Sequence, residues 1–178
     1  MELILNWIAG WDWNIISRLL LGAGLGGFVG FERERSGKVA GLRTHTLVAL
    51  GAALLTVITE KLFFMFPSVN GEFGLDYHII ANIVVGIGFI GAGTILRKDD
   101  KIEGTTTAAS LWVVAAIGIA SGFGFYQEAI ATTVVAYVVL AGLWLIEKYL
   151  TREIRYKGQG IYGELKHDEN PSSEYSEK

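Results

Sequence analysis

Five apolar stretches dominate this chain, at about 14–31, 44–64, 79–96, 107–125 and 129–147, each bounded by charged or turn-forming residues. A helix crosses the hydrocarbon core of a bilayer with roughly 20 apolar residues, and about 17 suffice. The stretch 79–96 carries no acidic or basic residue on any face. A soluble helical bundle would need a polar stripe there to meet water. Composition points the same way, with 51% of residues hydrophobic and 19% charged, where soluble domains average about a quarter charged. The predicted fold class is all-α: a polytopic helical membrane protein with five transmembrane helices in a domain over residues 1–150. Trp7, Trp11 and Trp13 suit an interfacial segment over 1–13, since indole rings settle at headgroup depth. Residues 151–178, rich in charge of both signs, read as a flexible cytoplasmic tail. Met1 and Glu2 lack the basic start of a cleavable signal, so the first apolar run is expected to stay in the mature protein.

Lys and Arg set the expected orientation, because loops rich in them stay on the cytoplasmic side. Of the 15 such residues, all but Arg18 and Lys61 fall after the first, third and fifth spans. This alternation predicts an N-terminus outside and a C-terminus in the cytoplasm, and it requires an odd number of spans. The formal charge of −3 gives no reason to expect nucleic acid as a partner. With no cysteine in the chain, disulfides and thiolate chemistry are excluded.

An ungapped alignment of Leu21–Ala53 with Val84–Ala116 pairs Gly30 with Gly93, Lys38 with Lys101, Gly41 with Gly104 and Thr44 with Thr107. It suggests a parallel hairpin repeat, spans 1–2 and 3–4, related by an axis along the membrane normal. Small residues recur at helix spacing: Gly22, Gly26 and Gly30 in span one, Gly86, Gly88, Gly91 and Gly93 in span three, Gly118 and Gly122 in span four. Lipid-embedded helices associate through close approach at such faces. Tight internal packing is the plainer reading; a dimer seam or a backbone-lined path is the alternative. A homodimer is the expected assembly, as two-fold symmetry is commonest.

Charge inside a span is costly and seeks a partner. Arg18 lies near the outer end of span one, and Glu60 at the outer end of span two is its preferred partner; snorkelling beside the Trp belt is the alternative. At the inner end, Glu32, Arg33, Glu34 and Arg35 form a self-neutralising run. Arg43, Thr44, His45 and Thr46 open span two, while Thr105, Thr106 and Thr107 open span four. Two positive helix ends with hydroxyls facing one cavity would form a small polar site, whereas ordinary capping is the simpler alternative. His45 is read chiefly as a hydrogen-bonded packing residue, and Asn82 as an interhelical hydrogen bonder. No nucleophile–base pair, phosphate loop or zinc motif is present, so neither an enzyme nor a cofactor is expected.

These residues carry a family resemblance. Gly30-Phe31-Glu32-Arg33-Glu34-Arg35, Ala40-Gly41-Leu42-Arg43-Thr44-His45-Thr46, Gly86–Gly93 and Gly104–Trp112 follow one another as in the MgtC/SapB family, over about residues 15–125. The resemblance implies a five-span protein of the bacterial inner membrane connected with magnesium limitation and, in some members, with survival in host cells. Many members carry an ACT-like cytoplasmic domain, for which the stretch after Thr151 is too short. Asn82 stands where Gln is frequent, Thr106 where Asn or Thr occurs, and Val85 where a small polar residue is frequent.

Two functions follow as expectations. One is ion homeostasis as a small-ion transporter or channel-like subunit, with Mg²⁺ as the candidate bound ion and its ligands undefined. No acidic residue stands at mid-span, and Mg²⁺ prefers oxygen ligands with retained water. The other is a non-transporting regulatory module acting on another membrane complex, such as an ATP synthase or an ion transporter.

Overall fold

The computed structural model describes residues 12–65, 77–98 and 101–142. Most of the interfacial segment 1–13, the loop 66–76, the end of the fifth span beyond Gly142 and the tail 151–178 lie outside the described residues. Five helices follow in order: α1 (Trp13–Arg35), α2 (Leu42–Met65), α3 (Tyr77–Ala92), α4 (Thr105–Phe123) and α5 (Tyr126–Gly142). Of these, α1, α2 and α4 are each long and apolar enough to cross a membrane, while α3 and α5 are shorter apolar helices. Residues up to Val138 belong to one compact unit; a second begins at Val139, of which only the last turn of α5 is described.

Local chemistry explains the helix ends. Asp12 caps α1 by accepting from the Asn14 N–H at 3.1 Å, satisfying one of the free donors of the first turn. At the other end Gly37 takes φ +67°. Its N–H bonds to Glu34 and that of Lys38 to Arg33, which is a Schellman closure. Gly124, at φ +78°, ends α4 the same way, through bonds to Ser121 and from Phe125 to Ala120. Chain reversal into α5 therefore needs no long loop.

The third span departs from expectation. The helix stops at Ala92 instead of running to 96, because Gly93 and Thr94 turn the chain and the Thr94 hydroxyl bonds the Gly91 carbonyl at 2.7 Å. A two-stranded antiparallel hairpin follows, β1 (Leu96–Lys98) and β2 (Lys101–Glu103), pairing Leu96 with Glu103 and Arg97 with Ile102. Gly104 closes its base at φ +93°, where a β-carbon would collide with the Thr94 carbonyl. The connection after α1 is a plain turn, so the two repeat-related loops have different structures. One feature is shared: the Gly41 carbonyl accepts from the His45 N–H, and the Gly104 carbonyl accepts from Ala108.

The centre of the unit is the junction of α1, α2 and α4. A β-carbon at Gly26 would lie 2.5 Å from that of Ala49 and 2.9 Å from the His45 carbonyl. One at Gly118 would overlap the Ala49 carbonyl, and one at Gly122 would lie 2.6 Å from the Ala53 carbonyl. These helices touch backbone to backbone, the arrangement that gives association in lipid its dispersion energy. Phe28 of α1 and Tyr137 of α5 stack with ring centroids 4.8 Å apart.

Candidate functional site

At one end of the α1–α2–α4 junction the small residues give way to charge. Glu32 and Arg33 are 7% and 3% exposed, and beside them His45, Thr107 and Ser110 are buried as well. The positions follow from helix geometry. Gly22, Gly26, Gly30 and Arg33 recur every three or four residues, so Arg33 continues the face that the glycines press against α2 and α4. Glu34 and Arg35 leave that face and are exposed.

Hydrogen bonding in the cluster is uneven. Glu32 Oε1 accepts from the Ser36 hydroxyl at 2.7 Å. Its Oε2 lies 3.9 Å from Arg33 Nη1 and has no hydrogen-bond partner. Arg33 Nη2 makes a long contact of 3.5 Å with Thr107 Oγ1, and Arg33 Nε has no partner. Buried charge short of hydrogen bonds is costly, so such a pair is weak evidence for stability and a reason to look for a role.

His45 is fixed more firmly. Its Nδ1 is 2.8 Å from the Gly41 carbonyl, which can only accept, so Nδ1 carries a proton. Nε2 is 3.0 Å from Ser110 Oγ, and that hydroxyl is 2.8 Å from the Thr107 carbonyl. Ser110 Oγ thus links the His45 ring of α2 to the backbone of α4.

The other sequence-selected residues divide. Arg18 and Glu60 meet: Arg18 Nη1 donates to Glu60 Oε2 at 2.5 Å and to the Gly122 carbonyl at 3.1 Å, tying α1 to α2 and α4. The two hydroxyl clusters do not line the groove between α2 and α3 together. Thr44 lines a groove between α2 and α3 that none of Thr105, Thr106 and Thr107 reaches. Successive helical residues point about 100° apart, so of the last three only Thr107 turns inward while Thr105 and Thr106 are exposed. Nor do threonines cap these helices. Glu34 Oε2 accepts from the Leu42 N–H at 2.8 Å to cap α2, and α4 starts from Gly104 with no side-chain cap. Thr46 bonds back to the Leu42 carbonyl.

Arg43 and Arg35 are exposed, and Asn82 is an exposed groove residue without the interhelical bond expected of it among the described residues. Among the glycines selected for packing, Gly22, Gly26 and Gly30 face other helices, and Gly91 rests on Ala108. Gly86 meets nothing, and Gly93 meets only carbonyls of its own helix turn, so these two are corrections to the packing set. Reading the charged run as self-neutralising missed the inward turn of Arg33 and the capping role of Glu34. The glycine spacing ahead of Arg33 was the signal for the first.

No group of three or more His, Asp or Glu able to hold a metal ion occurs among the described residues. Glu32 is the one carboxylate of the buried cluster, and Arg33 adjoins it. A divalent cation needs several oxygen ligands, so these residues do not fit direct Mg²⁺ coordination.

Fold and cluster together define a polytopic α-helical membrane protein with a charged site sealed at one end of its bundle. The MgtC family model matches residues 19–149, and the chain belongs to that family. It is 45% identical to YhiD of Escherichia coli strain K12, over 71% of this chain and 59% of that one. It is 35% identical to SapB of Bacillus subtilis strain 168, over 82% and 63%, and 42% identical to MgtC of Brucella abortus strain 2308, over 66% and 46%. The chain thus spans about half to three-fifths of the length of these curated relatives. No solved structure matches it.

Proposed function

We propose that this chain is a membrane protein of magnesium homeostasis whose working part is the charged cluster at the α1–α2–α4 junction. Membership of the MgtC family supports the first half, as does the name of one relative, "Putative magnesium transporter YhiD". The observation that carries the second half is the burial of Glu32 and Arg33 with unpartnered atoms on both. Ionisable residues kept inside a membrane bundle mark function by default.

Two forms of this reading differ in what they demand of the fold. Transport of a small ion past the cluster requires parting helices that touch at Gly26 and Gly118. It would also move a cation beside Arg33. Regulation of another membrane complex, an ATP synthase or an ion transporter, requires only a fixed charged end and exposed apolar helix faces. The sealed junction favours regulation. A bacterial inner-membrane setting with the basic loops in the cytoplasm belongs to the same proposal, as does a homodimer.

The test is Mg²⁺ and monovalent cation flux in proteoliposomes holding folded, oriented protein, with Glu32→Gln and Thr107→Val beside wild type. No flux from wild type is the expected result and directs the search to a stoichiometric membrane partner. Flux that Glu32→Gln abolishes overturns regulation in favour of transport. Flux that both variants retain removes the cluster from the mechanism.

A further inference from the structure

A groove of about 740 Å³ separates α2 from α3. Leu47, Leu55, Ile83 and Ile87 form its walls, and Gly51 and Gly86 leave its floor bare, since a β-carbon at either would meet no atom within 4 Å. Its polar side chains are grouped by depth. Arg43 and Thr44 stand at the mouth, in the first turn of α2, and Asn82 lies on α3 towards the opposite end.

Neither Arg43 nor Thr44 has a hydrogen-bond or ion-pair partner among the described residues. Thr44 differs in this from Thr46, Thr56 and Thr59 on the same helix, each of which bonds the carbonyl four residues back. A guanidinium and a hydroxyl, both unclaimed, thus sit at the mouth of an aliphatic groove. We propose that this groove seats one acyl chain of an anionic phospholipid, with the phosphate held by Arg43 and the Thr44 hydroxyl.

Length fits that occupant. From Arg43 to Leu55 the helix rises roughly 18 Å at about 1.5 Å per residue. One leaflet of hydrocarbon is about 15 Å deep, half of the roughly 30 Å core. Charge agrees as well. Arg43 lies on the end of the bundle that also carries Arg35 and Lys38, where a negative headgroup is attracted by about fivefold in affinity for each basic side chain near the surface. Asn82 stands on α3 away from Arg43 and Thr44, so the phosphate makes no use of its amide.

The experiment reconstitutes the full chain into nanodiscs of mixed phosphatidylglycerol and phosphatidylcholine, then counts retained lipids by native mass spectrometry after release into mild detergent. Wild type is expected to keep phosphatidylglycerol in preference to phosphatidylcholine. Arg43→Gln lowers that preference about fivefold. Gly86→Leu, whose β-carbon meets no atom within 4 Å, puts a side chain into the groove and loses the bound lipid, while Asn82→Leu keeps it. Thermal melts confirm that each variant is folded. Equal retention of the two lipids by wild type, or retention unchanged in folded Arg43→Gln and Gly86→Leu, overturns the proposal. So does loss on Asn82→Leu accompanied by crosslinking of a second polypeptide into the groove, which assigns it to a partner helix.

Discussion

Replacing Gly26 by alanine tests the packing on which the whole junction rests. The new methyl would lie 2.5 Å from Ala49 Cβ, 2.9 Å from the His45 carbonyl oxygen and 3.3 Å from Val114 Cγ1. Carbon atoms settle at about 3.5–4.0 Å, so α1 must retreat from α2 by about 1 Å, and a gap of that size forfeits up to about half of each dispersion contact left behind. The retreat also loosens Gly22 and Gly30, which lie on the same face. Overpacking of this kind costs about 1–3 kcal/mol. The better helix propensity of alanine returns about 1 kcal/mol, leaving a net loss of up to about 2 kcal/mol. For a chain of this size that lowers the melting temperature by up to about 8 °C. Gly24→Ala is the matched control, because a β-carbon there meets nothing within 4 Å; it should melt at or slightly above wild type. The assay is thermal unfolding in mild detergent followed by circular dichroism. Equal melting of the two variants would refute backbone contact between α1 and α2 at this level.

Two further predictions concern the charged groups. Arg18→Ala should destabilise more than Glu60→Ala, since Arg18 also holds the Gly122 carbonyl of α4. A double-mutant cycle on melting should return a coupling of about 0.5–3 kcal/mol, and strict additivity would show that the pair does not act as a unit. Thr107→Val should cost about 1–3 kcal/mol, because it removes the acceptor from an arginine already short of partners. Thr105→Val, at an exposed site, should stay within about 0.5 kcal/mol of wild type; similar losses from the two would refute the inward placement of Thr107.

The number and order of the helices were legible in the sequence, as was their apolar character, because run length and charge spacing are local properties. The pairing of Arg18 with Glu60 was legible too: two opposite charges at matching depth in apolar surroundings leave few other partners. Tertiary structure alone decided which polar residues lie inside. Arg33 and Glu34 are neighbours in the chain, yet one is sealed against Thr107 and the other caps α2 from outside. That division depends on the rotation of α1 about its axis, set by three glycines meeting two other helices at once. The early stop of α3 depends likewise on the approach of Gly104 to the Thr94 carbonyl across the hairpin. Whether a glycine marks contact or open space is equally a matter of what faces it. Gly26 and Gly86 are alike as residues, and only the distance to the neighbouring helix makes one a seam and the other the floor of a groove.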